Sequence, residues 1–232
     1  MRTIDELLAS RPYPGRGVLV ARTLNGSRCF VYFVTGRSEA SQRRRLVVRD
    51  GGEIAVEDSA SGNASDPLRH YVAAVARGKV VVVGNGSHVT PIADALQGGI
   101  DPLQAFAPHT YEPDDPVFTP RIWAAATAGG DARLLLGSVA RSQSSDGAPV
   151  HGVWSLGHLT PGSGALLSTY EGDRQTLRSA RVPIEVATTA PDLNEMLVEV
   201  WSALEHDVRV AALAVDPDAF GSTPRIMHTE RH

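Results

Sequence analysis

Scarcity bounds this chain before any motif does. Cysteine occurs once, at Cys29, which excludes an internal disulfide and any multi-cysteine zinc site and suits a reducing, cytoplasmic setting. Cys29 lies in the strand-like run Cys-Phe-Val-Tyr-Phe-Val and reads as a packed thiol rather than a nucleophile. Lysine also occurs once, at Lys79, so positive charge is carried almost wholly by arginine. Long apolar runs are missing: residues 80–83 and 211–215 are strand-sized, far short of the roughly 20 residues of a membrane span. No membrane partner is expected. The opening Met-Arg-Thr-Ile-Asp-Glu-Leu-Leu carries acids, reads as an amphipathic turn, and lacks the pattern of a signal peptide. A formal net charge of -4 argues against a general nucleic-acid binder.

What is present is ordinary in amount and unusual in kind. The 232 residues, 42% hydrophobic and 21% charged, suffice for a substantial core in one domain, 1–232, with no evident linker. Codon bias accounts for the excess of arginine over lysine. It does not account for the clustering, and a planar guanidinium grips phosphate and carboxamide oxygens in a fixed geometry.

Hydrophobic runs at 18–20 and 29–34 across Asn25-Gly26 predict a β-hairpin, with a short strand at 46–48 and a loop at 57–66. Residues 71–75 and 79–83 predict a second hairpin turning at Arg77-Gly78, followed by short helices at 91–96 and 102–106. Further strands are expected at 122–127, 132–139, 150–154, 165–170 and 208–215, with 142–149 as a hairpin loop. Leu193, Met196, Leu197, Val200, Trp201 and Leu204 fall on one helical face, a packing stripe. Pro191 suits the first turn of that helix, and Thr189 with Asp192 gives a start like a capping box. Many strands and few helices indicate an α+β protein. Thr-Pro-Arg-Ile occurs at 119–122 and again at 223–226, too short a match to be a repeat.

Common catalytic signatures are missing: no phosphate-binding loop, no GxGxxG after a strand, no GxSxG elbow, and no HExxH zinc motif, the one His-x3-His spacing (His228 and His232) having no Glu after its first His. Five other segments place glycine, arginine and small polar groups beside strand ends. They are Tyr13-Pro-Gly-Arg-Gly17, Gly36-Arg-Ser-Glu-Ala-Ser-Gln-Arg-Arg-Arg45, Gly84-Asn-Gly-Ser-His88, Tyr111-Glu-Pro-Asp-Asp with Thr119-Pro-Arg-Ile122, and Ser168-Thr-Tyr-Glu-Gly172. Singly, each reads as a turn or a solvated charge run. Together they point to an anionic, polar ligand.

The ordered set resembles the inosine monophosphate cyclohydrolase family. Tyr13-Pro-Gly-Arg-Gly17 and Gly36-Arg-Ser-Glu39 are similar to that family's start, Asn85-Gly-Ser-His88 with Ile92-Ala-Asp94 to its central segment, and Tyr111-Glu112, Thr119-Pro-Arg-Ile122 and Pro161-Gly-Ser-Gly164 with Thr169-Tyr170 to later ones. The resemblance covers roughly residues 12 to 185. Family members carry Gly-Arg-Ser-Glu-Asn-Ser-Arg-Asn-Arg where this chain has Ala40, Gln42 and Arg43 at three of the positions, while Arg37 and Arg44 keep the matching arginines.

The resemblance implies a four-layer αββα sandwich like that of N-terminal-nucleophile hydrolases, used without that nucleophile. It also implies ring closure of a 5-formamidoimidazole-4-carboxamide ribonucleotide to inosine monophosphate and water, with no cofactor and no metal. Tyr71, Glu112 and Arg37 would be catalytic, and Arg16, Arg44, Asn85, Gly86, Ser87 and Arg121 would bind substrate. Such an enzyme is expected to be cytoplasmic and to form a homo-oligomer. Two other readings fit the same residues: ring closure on a purine-like nucleotide in a specialised pathway such as antibiotic nucleoside synthesis, and nucleotide binding without catalysis.

Overall fold

The computed structural model describes residues 1–59, 66–127, 133–144, 147–220 and 224–229. Strand β1 (Arg2–Thr3) leads into helix α1 (Ile4–Ala9), β2 (Arg16–Arg22) and β3 (Arg28–Thr35). Helix α2 (Glu39–Gln42) precedes β4 (Arg44–Val48), β5 (Ile54–Asp58), β6 (Tyr71–Arg77) and β7 (Val80–Gly84). Helices α3 (Val89–Gln97) and α4 (Pro102–Phe106) follow, then β8 (Arg121–Thr127), β9 (Leu134–Arg141), β10 (Pro149–Leu156) and β11 (Ser163–Ser168). The chain continues through β12 (Tyr170–Gly172), β13 (Leu177–Ser179), β14 (Ile184–Ala187), α5 (Leu193–Ala203), β15 (Arg209–Val215) and β16 (Arg225–His228).

Two seven-stranded sheets form the frame, ordered β1-β14-β11-β2-β3-β15-β16 and β10-β9-β8-β7-β6-β5-β4, with β12-β13 as a separate ribbon. Pairing is antiparallel except between β1 and β14. The two-residue period of a strand sorts the apolar side chains onto opposite faces. Val18, Val20, Phe30, Tyr32 and Val34 of the first sheet share one buried cluster with Tyr71, Ala73, Val81, Val83, Ile122 and Leu136 of the second. Their sequence neighbours Leu19, Ala21, Cys29, Val31 and Phe33 point the other way and pack with Ile4, Leu7, Met196 and Val200 of α1 and α5. In the second sheet Val80, Val82 and Trp123 pack with Val89, Ile92 and Phe106 of α3 and α4. Central strands are thus apolar on both faces, and each large side chain buried this way contributes about 1.5–3 kcal/mol. The protein is α+β, mostly sheet with few helices. No helix among the described residues is long and apolar enough to cross a membrane.

Both expected hairpins form, β2 with β3 and β6 with β7, and the second short helix runs over residues 102–106 as read from the sequence. Several expectations are corrected. The N-terminal turn is a helix, closed by a reciprocal capping box in which Thr3 Oγ1 accepts from the Glu6 amide at 3.1 Å and Glu6 Oε2 accepts from the Thr3 amide at 3.0 Å. Helix α5 is capped by Asp192 alone, which accepts from the Asn194 and Glu195 amides; Pro191 precedes the cap, and Thr189 takes no part. The segment expected to be loop from 57 begins as strand, because Glu57 and Asp58 pair with Arg45 and Arg44. The run 165–170 is not one strand: it breaks at Thr169 into β11 and β12. Part of the 57–66 loop (60–65), residue 132, part of the 142–149 loop (145–146), and the start of the second Thr-Pro-Arg-Ile lie outside the described residues.

Candidate active site

Four of the five polar segments converge beside strand ends, and the fifth, 36–45, reaches only their edge through Arg44. Arg16 opens β2, Tyr71 opens β6, Asn85–Ser87 follow β7, and Arg121 opens β8. The break at Thr169 closes the arrangement. The Thr169 amide donates to the Arg16 carbonyl at 2.8 Å, while Thr169 Oγ1 accepts from the Arg16 amide at 3.0 Å and donates to the Pro14 carbonyl at 3.2 Å. Gly15 has φ +74°, and a Cβ there would stand 2.2 Å from Thr169 Oγ1, so only glycine lets the two segments meet.

At the centre is a buried ion pair. Arg16 Nη2 donates to Glu112 Oε1 at 2.6 Å and to Oε2 at 2.5 Å; Arg16 is 7% exposed and Glu112 3%. Asn85 Nδ2 adds a contact to Oε1 at 3.3 Å and donates to the Pro120 carbonyl at 3.0 Å, while its Oδ1 accepts from the Ile122 amide at 2.6 Å. Asn85 therefore has a fixed amide orientation and joins the ends of β7 and β8 to the carboxylate. Oε1 takes two protein donors and Oε2 one. Burial works against the charge on Arg16, but Glu112, with Tyr71 and Tyr170, outweighs it and holds the guanidinium pKa well above its ordinary value. Arg16 Nε is buried without a partner.

Two tyrosine hydroxyls flank the pair. Tyr71 OH lies 2.7 Å from Tyr32 OH, an intersheet contact between residues 4% and 0% exposed. Burial, then the neighbouring Tyr71, pushes the Tyr32 phenol well above its usual range. On the other flank the Thr119 hydroxyl donates to Asp114 Oδ2 at 2.5 Å and is also in contact with Tyr170 OH. Because a hydroxyl has one proton, Tyr170 is the donor in that contact. Burial pushes the Tyr170 phenol up to about 12.

Arg121 approaches from the side of the Asn85–Ser87 turn, donating to Ser87 Oγ at 2.9 Å and meeting His88 Nδ1 at 3.5 Å. His88 Nε2 lies 3.1 Å from the Ile122 carbonyl, which requires the proton there and leaves Nδ1 as acceptor. Burial, reinforced by Arg121, keeps this imidazole neutral, its pKa well below the usual value. Gly86, at φ +128°, again answers a close approach: a Cβ would sit 3.0 Å from Arg121 Nη1 and 3.7 Å from Glu112 Oε1.

The structure thus gathers Arg16, Asn85, Gly86, Ser87, Glu112, Arg121 and Tyr71. Arg44 stands at the edge. Its Nη2 donates to the Leu68 carbonyl at 3.3 Å, its Nε is buried without a partner, and it lines a cavity of about 230 Å³ with Arg43, Arg45 and His228. Its charge is felt by Tyr32. Arg37 is not gathered: it is exposed and donates to the Arg174 carbonyl at 3.0 Å. Gln42 and Arg43, where the chain departs from the family pattern, hold the scaffold. Gln42 donates to the carbonyls of Gly36 and Asp207, and Arg43 meets Glu39 and the buried Asp58. Tyr32 went unmarked in the sequence because its strand reads as apolar, and Tyr170 was noted only as part of a segment. Among the described residues, no group of three or more His, Cys, Asp or Glu is placed to hold a metal ion.

Residues 13–221 match a protein family described as IMP cyclohydrolase-like protein. An IMP cyclohydrolase of Methanopyrus kandleri is 34% identical over 113 residues, 47% of this chain and 56% of that protein. One of Haloquadratum walsbyi is 33% identical over 114 residues, 47% of this chain and 54% of its own length. Against these two the chain spans little more than half of the relative. An IMP cyclohydrolase of Natronomonas pharaonis is 30% identical over 214 residues, 90% of this chain and 95% of that protein.

Proposed function

The chain belongs to the IMP cyclohydrolase-like family, and from that membership we propose that it closes the pyrimidinone ring of 5-formamidoimidazole-4-carboxamide ribonucleotide, giving inosine monophosphate and water. The observation that carries this reading is the buried Glu112 carboxylate, held by Arg16 and Asn85, with Arg121 near enough to interact with it and Tyr71 near enough to interact with Arg16. We also take the two sheets with helices on their outer faces as an αββα sandwich of the N-terminal-nucleophile hydrolase type, in one domain. Three apolar clusters support that layering, one between the sheets and one beneath each helix pair.

Ring closure joins the carboxamide nitrogen to the formyl carbon. An amide nitrogen is a poor nucleophile, so holding the two groups in contact accounts for much of the acceleration. Glu112 Oε2, with the fewer protein donors, accepts one carboxamide proton while Tyr71, backed by Tyr32, protonates the formyl oxygen, giving a cyclic carbinolamine. The former formamido N–H then returns a proton to the Tyr71 phenolate, and the proton held on Glu112 passes to the hydroxyl, which leaves as water. Arg121 and Arg44 supply charge-assisted hydrogen bonds to phosphate and carboxamide oxygens, the Asn85–Ser87 turn orients the base, and Arg37 serves at the rim. These groups need neither metal nor cofactor.

A second reading, ring closure on a related purine-like nucleotide, is favoured by Gln42 and Arg43, which differ from the family pattern and line the cavity beside Arg44. Self-association is part of the proposal and is supported by Val47 and Val48, exposed on the edge strand β4.

The test is to incubate the full chain with the formamido ribotide, with chelator present, and follow ring closure by ultraviolet absorbance. Turnover is expected, and binding without turnover would overturn the enzymatic reading. Glu112→Gln and Tyr71→Phe should still bind nucleotide and lose about two to four orders of magnitude in rate. Near-normal turnover in both would show that the site is misplaced.

A further inference from the structure

A second concavity, of about 450 Å³, opens against residues 116–118, at the other end of the loop that carries Glu112. It is separate from the residues gathered above: Arg16, Tyr71, Asn85, Glu112 and Arg121 do not line it. Three arginines do, from different elements: Arg141 at the end of β9, Arg178 in the middle of β13, and Arg181 just beyond it. Elsewhere in the chain several arginines are matched to carboxylates, as Arg28 is to Asp218, Arg49 to Glu57, and Arg77 to both Glu53 and Asp94. Among the described residues, Arg141, Arg178 and Arg181 have no such ion pair. The one acid on the wall, Glu171, is engaged by Arg11 at 3.3 Å.

Two of the three guanidinium groups are already held in place. Arg141 lies 4.1 Å over the ring of Phe118, and Phe118 is itself fixed by Tyr111 against its edge and by an unusual φ of +49°. Arg181 Nη2 donates to the Arg141 carbonyl at 2.8 Å, which keeps its remaining N–H groups beside Arg141. Arg178 is exposed on the same wall. Glu171 stands across the ribbon from Arg178 and Asp173 lies within reach of its charge, but three guanidinium groups on one wall against these two acids leave positive charge in excess, which an anion would offset. Val117, Leu177 and Val182 give the wall apolar patches between the arginines. The volume falls within the roughly 300–1,000 Å³ of small-molecule sites.

We propose that this concavity is a second anion site, distinct from the ring-closing centre, that takes a phosphorylated small molecule. Guanidinium groups bind phosphoryl oxygens through paired, charge-assisted hydrogen bonds, and two that are pre-positioned lose little freedom on binding. The apolar patches suit the organic part of such a ligand.

The test is calorimetric titration of the full chain with inorganic pyrophosphate, which reads binding without requiring turnover. Arg178→Gln/Arg181→Gln should weaken pyrophosphate binding at least tenfold and leave KM and kcat for the ribotide unchanged. Arg178→Gln alone, at an exposed side chain, should give part of that loss, so a folding defect in the double variant cannot mimic it. Arg121→Gln, in the ring-closing site, should remove at most the pyrophosphate taken up by that site's own phosphate contacts and leave the component lost in Arg178→Gln/Arg181→Gln intact. Absence of binding at millimolar pyrophosphate would overturn the proposal, as would equal affinity in the double variant or loss in Arg121→Gln instead. A raised KM for the ribotide in Arg178→Gln would assign the concavity to the ring-closing site. Tighter binding of a short single-stranded oligonucleotide, abolished by the same variants, would overturn the small-molecule class.

Discussion

The Arg16–Glu112 pair carries two burdens at once. Taking both charges out of water is costly, and the short contacts with Asn85 alongside offset that cost only while both partners remain. Removing one partner strands the other. Arg16→Met is therefore expected to destabilise the fold by about 3–5 kcal/mol, and Arg16→Met/Glu112→Leu to recover much of that loss while remaining inactive. Denaturant unfolding of the two variants checks both expectations; a double variant less stable than the single one would contradict them. Arg16, Asn85 and Glu112 were legible in the sequence because each sits beside glycine or proline, the first two at strand ends and Glu112 in a loop, where polar groups have few packing duties. Tyr32 was not legible. It alternates with Phe30 and Val34 on an apolar strand face, and its hydroxyl gains meaning only because β6, from the opposite sheet, presents Tyr71 to it. Arg37 stands apart from the gathered residues: its neighbours resemble a binding segment, while its side chain is exposed and donates to the Arg174 carbonyl.

Among the elements, helix α5 shows how one residue sets a boundary. Asp192 Oδ1 accepts from the Asn194 amide at 2.9 Å and the Glu195 amide at 3.0 Å, satisfying two of the helix's otherwise unpaired donors. Asp192→Ala should cost about 1 kcal/mol of stability, read as a lower thermal midpoint, whereas Thr189→Ala should have little effect through the cap. The apolar stripe of this helix was legible because its 3.6-residue period is distinctive, and the long central strands because they are apolar on both faces. The edge elements were harder. Strand β5 ends in Glu57 and Asp58, polar residues that suggest a loop, yet Asp58 is buried and takes hydrogen bonds from Arg43 and Arg69. Strands β14 and β16 are four residues each and half exposed, so their pairing depends on long-range partners that no local window contains. The break between β11 and β12 was hidden for the same reason: Thr169 leaves the sheet to bind Pro14 and Arg16, more than 150 residues earlier.

At the scale of the whole molecule, neutral histidines tie stability to pH. Burial, then Arg121, lowers the pKa of His88 and of His109; burial, then Arg45, lowers that of His228. Each folded-state pKa lies below the unfolded one, so below about pH 6.5 the unfolded chain binds protons that the folded chain refuses. Stability should therefore fall as pH drops from about 7 to about 5, most strongly through the fully buried His88. Thermal midpoints across that range check the sign, and His88→Gln should flatten the slope. A different consequence follows from Cys29. It is fully buried between the first sheet and helices α1 and α5, and burial pushes its thiol up to about 12. A thiol-directed reagent therefore meets two obstacles in the folded chain: it has no path to the sulfur, and almost none of the sulfur is thiolate. Because no other cysteine competes, the rate of covalent labelling counts openings of that one helix-covered face. The chain thus carries its own clock for local unfolding, one that keeps time on the α1/α5 side and is silent about the other.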